Sequence, residues 1–117
     1  MTYRSETYRR WVAAQPCIRC GREGASNHAH ANSARFGKGM GLKADDRYAF
    51  PLCVDGPGYI GCHTKHDQHM HALLSKSDVI DLEALYIVRT LGLWLSKRGR
   101  ATPELAEALA TVLEDAK

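Results

Sequence analysis

The chain has 117 residues, a length that suits one domain with a modest core of the kind a metal or disulfide often staples. Apolar side chains make up 44% and charged ones 25%, as in a soluble globular protein, and no apolar run nears the roughly 20 residues of a membrane span. Net charge is +3, unevenly spread: residues 1–52 hold nine basic and four acidic side chains, a balance of +5, and residues 53–117 hold seven and nine, a balance of −2. The basic half suits a polyanion such as DNA, with a solvated basic surface as the plain alternative. Met1 to Glu6 lack the apolar core of a secretory signal, so a reducing cytoplasm and no membrane partner are expected.

Ser5 is placed to cap a helix from Glu6 to Ala14, with Tyr8, Trp11 and Val12 on one face and Pro16 as its stop. Cys17 to Gly24 has the form of a metal knuckle, two cysteines followed by Gly21 to turn the backbone. A short strand is expected over Asn27–Ala31 and a glycine-rich loop over residues 35–46. A second strand, Arg47–Leu52, ends at Cys53, and residues 54–61, with three glycines and Pro57, must be loop. A helix from near Cys62 to about Leu74 follows. Asp78 is a candidate cap for a long helix through about Lys97, with Leu82, Leu85, Tyr86, Val88 and Leu93 on an apolar face that Arg89 interrupts. Gly99 is a plausible stop, and Thr102 with Pro103 announces a last helix lined by Leu105, Leu109, Val112 and Leu113.

All four cysteines of the chain fall in one segment. Thiolates are preferred ligands of structural zinc, and four fill its tetrahedron. Cys17 and Cys20 have the knuckle spacing. Cys53 and Cys62 are separated by eight residues, which reads as an Asp55–Gly61 loop inserted between two ligands. The alternatives are a redox CxxC or unrelated buried thiols, and a thioredoxin-like site would need a βαβ context that Pro16 and the preceding helix do not provide.

Six histidines, His28, His30, His63, His66, His69 and His71, lie within 44 positions. His63 and Asp67 share a helix face at i, i+4 and make a divalent-metal pair that leaves positions open to water and substrate. His66, at i+3, is a rival to Asp67. His30 on the first strand could face that pair and take a proton from a water attacking a phosphodiester. His28 would point to the same side as His30. A lone strand histidine is more often structural; its combination with the cysteine frame favours chemistry. In the glycine-rich loop, Arg35, Lys38 and Lys43 add charge for a phosphate backbone, although the Walker A spacing is absent. Asp45 and Asp46 read as fixing a turn or a cap.

Over about residues 8–70 the chain resembles the HNH endonucleases, the ββα-metal nucleases, and most closely the small prophage-encoded HNH proteins. The resemblance rests on the Cys17–Cys20 knuckle, Ala29-His30, Gly37-Lys38-Gly39-Met40-Gly41, Lys43-Ala44-Asp45-Asp46, Pro51-Leu52-Cys53, and Cys62-His63 followed by Asp67-Gln68. It implies a general-base role for His30, a catalytic divalent metal such as Mg²⁺ on His63 and Asp67, and a structural zinc on Cys17, Cys20, Cys53 and Cys62. Many relatives carry a metal-binding Asp or His where this chain has Ala29; His28 either substitutes as a ligand or is incidental, and incidental is the favoured reading. The expected fold is α+β: a single domain, 1–117, with a zinc-stapled ββα core over about 8–74 and a helical extension over 75–117. The expected function is metal-dependent hydrolysis of DNA phosphodiester bonds. The rival is a zinc-finger-like nucleic-acid-binding or adaptor module that keeps the frame without cleavage.

Overall fold

The computed structural model describes residues 5–31, 46–69, 73–98 and 103–115. Helix α1 (Glu6–Ala13) opens where Ser5 Oγ accepts the Tyr8 N–H at 3.2 Å, the cap expected from the sequence. Its inward face is Tyr8, Trp11 and Val12, all buried.

Strand β1 (Ser26–His30) pairs antiparallel with β2 (Ala49–Cys53). Ser26 stands opposite Cys53 and His30 opposite Ala49. The second strand starts two residues later than expected, because Asp46–Tyr48 wind into a 3-10 turn. Every residue of β2 is buried. A two-stranded ribbon is marginal alone. This one is sandwiched between α1 and the long helix α3 (Lys76–Arg98), with the last helix α4 (Pro103–Asp115) against α3.

Between them lies a helix of two characters. Residues Cys62–Thr64 (α2) bond as an α-helix, and Lys65–His69 continue as a π-helix. Wide turns of this kind are rare and frequently accompany functional sites.

The core joins Tyr8, Trp11 and Val12 of α1 to Phe50 and Leu52 of β2, Ile87, Leu91 and Trp94 of α3, and Leu105 of α4. Trp94 meets Tyr8 edge-on at 5.1 Å and Trp11 edge-on at 5.0 Å, an arrangement that aromatic quadrupoles favour.

Helix α3 differs from its sequence reading in two ways. Its first turn is bonded by Ser75, whose Oγ accepts the Asp78 N–H at 3.1 Å, so Asp78 lies in the first turn and is not the cap. Its buried stripe is Val79, Glu83, Tyr86, Ile87, Thr90, Leu91 and Trp94, while Leu85 is exposed. Two polar residues in that stripe broke the apolar pattern. Each is bonded internally: Glu83 to His66, and Thr90 Oγ1 to the Tyr86 carbonyl at 2.8 Å. Pro103 begins α4, as expected. Among the described residues, no helix is long and apolar enough to cross a membrane. The architecture is thus mixed α+β, a small two-stranded sheet among helices beside a cluster of four cysteines.

Candidate functional site

The ligand atoms of Cys17, Cys20, Cys53 and Cys62 lie within 4.8 Å of one another, and all four cysteines are free thiols. Cys20 Sγ and Cys53 Sγ are 3.8 Å apart. A tetrahedral zinc with Zn–S near 2.3 Å sets its sulfurs about 3.8 Å apart, so the donor set fits such an ion. The knuckle forms because Gly21, at φ +82°, turns the chain and donates its N–H to the Cys17 carbonyl at 2.8 Å. Ile18 N–H bonds the Pro51 carbonyl at 2.9 Å and ties the knuckle to β2. Across the cluster, Cys62 N–H donates to Cys53 Sγ at 3.3 Å.

The Asp55–Gly61 insertion is pinned rather than loose. Asp55 Oδ1 accepts the Gly61 N–H at 2.8 Å, and Arg22 stacks 3.9 Å from the centre of the Tyr59 ring. Gly61 must be glycine: a Cβ there would run into the Cys53 carbonyl and the Val54 backbone.

The thiols shift in opposite directions. Burial pushes Cys17 up, but backbone hydrogen bonds from Cys20, Cys53 and Arg19 outweigh it and bring Cys17 from 9.0 to about 7. Burial, then the neighbouring Cys53, Cys17 and Cys20, push Cys62 far above that ordinary value. A thiolate suppresses ionisation of its neighbours, whereas a divalent cation takes all four as thiolates.

Directly after Cys62 in the chain, His63 Nε2 lies 3.4 Å from Asp67 Oδ2, one turn further on, with both side chains partly exposed. The expectation that they share a face holds. They line a cavity of about 380 Å³ with Val54, Asp55 and Thr64. Asp55 is exposed, and the Gly61 N–H, the Thr64 hydroxyl and the nearby His63 hold its carboxyl below the usual carboxylate value. The sequence reading passed over Asp55. It carried no local signal, since Asp55 accepts the Gly61 N–H from six residues earlier, within a segment read only as loop. His30 is not among the walls of this cavity.

His66, considered above as a rival ligand, belongs elsewhere. Its Nε2 lies 2.6 Å from Glu83 Oε2, with the two side chains 1% and 0% exposed. Its ring stands edge-on to Phe50 at 5.5 Å. His66 lies in the wide π turn that follows His63, and there its ring falls on the inward side of the helix. His66 Nδ1 has no hydrogen-bond partner among the described residues.

On β1, His28 and His30 face the same side, as expected, with ring centres 5.2 Å apart. Burial, then the charges of His30 and Arg9, hold His28 below the ordinary imidazole value, and His63 adds to this from the helix. His30 Nε2 lies 2.9 Å from Asp46 Oδ1. Asp46 is fully buried. It was expected only to fix a turn or cap. It does sit at the head of the 3-10 turn, but its Oδ2 also accepts the Ser5 N–H at 2.7 Å and lies 3.2 Å from Arg9 Nε. Arg35, Lys38, Lys43, Asp45 and His71 fall outside the described residues.

No curated protein and no solved structure matches the chain. One family does, over residues 1–73, from α1 through the knuckle, both strands and the helix that carries His63 and Asp67. On that match, which spans more than half of the chain, the protein belongs to the family described as "Protein of unknown function (DUF968)".

Proposed function

We propose that this protein is a metal-dependent DNA endonuclease of the HNH, or ββα-metal, type. One observation carries the reading. An antiparallel hairpin that bears His30 is joined, across a four-thiol cluster, to a helix that presents His63 and Asp67 one turn apart. A binding module needs the cluster but has no use for an imidazole held by a buried carboxylate on the hairpin and a second imidazole–carboxylate pair on the helix.

The cysteines would hold a structural zinc. His63 and Asp67 offer one nitrogen and one oxygen donor and leave room for waters, which suits Mg²⁺ or a similar hard cation. Such an ion would offset charge that builds on the phosphate and the leaving oxygen. His30 would take the proton of the attacking water as its oxygen bonds to phosphorus and the P–O ester bond breaks. Burial and neighbouring charge make His28 beside it harder to protonate than an ordinary imidazole, so it opposes that protonation less.

Conversion of supercoiled plasmid to the nicked form, with and without Mg²⁺, tests the proposal. The protein should nick only with the divalent ion. His30→Ala should retain its fold and zinc and lose about 10²–10⁴-fold in rate. Wild-type nicking by His30→Ala would remove His30 from the mechanism. Retarded DNA with no cleavage would instead establish the binding-module alternative.

A further inference from the structure

We infer that Asp46 is a positioning residue that selects the tautomer of His30 and leaves Nδ1 as its reactive nitrogen. This rests on the proposed role of His30 and goes beyond it, since neither the hairpin nor the histidine pattern says which ring nitrogen works.

The geometry is one-sided. The Asp46 side chain is fully buried and His30 is 17% exposed, so water does not compete freely for their 2.9 Å contact. Oδ2 already accepts the Ser5 N–H at 2.7 Å and lies 3.2 Å from the Arg9 guanidinium. With a backbone donor and a cation on one oxygen, the group is a carboxylate, and a carboxylate only accepts. Oδ1 must therefore receive a proton, and His30 Nε2 must carry it. In a neutral imidazole a protonated Nε2 means a lone pair on Nδ1. Among the described residues, the His30 ring makes its only hydrogen bond through Nε2. When Nδ1 takes a proton, the imidazolium charge forms 2.9 Å from a negative oxygen that is already in place.

Asp46 is itself held from two directions. It heads the 3-10 turn before β2, and through Ser5 and Arg9 it is fastened to the start of α1. The N-terminal helix thus helps hold the acid that orients His30, which gives α1 a part in the site as well as in the core.

Ring-nitrogen NMR of ¹⁵N-labelled protein, at a pH where His30 is neutral, reads the tautomer directly. His30→Ala assigns the signals. The wild type should show Nε2–H with an unprotonated Nδ1. Asp46→Asn, whose amide donates as well as accepts, should lose that bias while zinc content is unchanged, and plasmid nicking should fall about 10²–10⁴-fold. An Nδ1–H tautomer in the wild type overturns the inference whether or not Asp46→Asn folds. Unaltered nicking by Asp46→Asn overturns it as well. If the tautomer is as stated, shifts in Asp46→Asn, and no form of the protein nicks DNA, the assignment of Asp46 stands and the nuclease reading falls.

Discussion

The two ends of the hairpin carry different donor groups. At one end, Ser26 faces Cys53 in a cluster of soft thiols that is largely buried. At the other, four residues and about 13 Å along the strand, His30 faces Ala49 beside Asp46, among nitrogen and oxygen donors that remain partly open. The first set could saturate a tetrahedral metal, which would leave no position for substrate. The second leaves a nitrogen free among the described residues. Under the proposed function, one small ribbon would carry a staple at one end and chemistry at the other.

Removal of the staple should have the largest effect. Structural zinc contributes about 10–16 kcal/mol of apparent binding free energy in zinc-finger peptides near neutral pH, more than the whole stability of most domains of this size. Cys20→Ser, or a strong zinc chelator, should therefore unfold the protein, as circular dichroism would show. Elemental analysis should find one zinc per chain. Acid should act in the same direction. Cys17 is lowered from 9.0 to about 7 in the folded chain, so its thiolate contributes stability that is present above the unfolded value and lost as pH falls through about 7. Zinc release, followed with a chromogenic chelator, should rise as pH drops below neutral. A protein that stays folded with no zinc would erase the distinction between the two ends.

The next effect sharpens the comparison with a histidine sealed in the core, outside the proposed chemistry. His66–Glu83 is also an imidazole–carboxylate pair, but at 1% and 0% exposure it meets no substrate. Glu83→Ala leaves His66 buried without its partner and should cost about 3–5 kcal/mol in urea unfolding. Replacing both by apolar residues of similar volume should restore most of that. If Glu83→Ala abolished nicking with no loss of stability, the pair would belong with the site rather than with the frame.

The smallest effect separates the cap of α1 from its link to the site. Ser5→Ala removes the oxygen that caps Tyr8 N–H and should cost about 1 kcal/mol. It keeps the backbone N–H that bonds Asp46, so the His30 tautomer should not change. A shift in the His30 ring signals would show that the cap oxygen, and not only the backbone, holds Asp46 in place.

Much of this layout was legible in the chain. The helix start at Ser5, the knuckle turn at Gly21, the antiparallel strands, the Pro103 helix start and the shared face of His63 and Asp67 all follow from local rules of capping, turning and periodicity. The misses lay where a polar side chain is satisfied by a distant partner. Glu83 and Thr90 interrupt the apolar stripe of α3, so its inward face was read at the wrong angle and Leu85 was taken for core. His66 looked like a ligand for the same reason, since its partner is 17 residues away. Asp46 looked like a turn residue because Ser5, 41 positions earlier, carries no mark of the contact.

The sequence by itself determined the donor chemistry: four thiols in knuckle and split spacing, and imidazoles and carboxylates at strand and helix periods. These are properties of residue type and near-neighbour spacing, which a short stretch of backbone is enough to express. Only the tertiary structure decided which of those groups meet. Burial removes competing water, so a carboxylate inside the fold takes whatever donor the packing brings to it. That is why Asp46 holds His30 and Glu83 holds His66, leaving one histidine 17% exposed on the hairpin and sealing the other in the core.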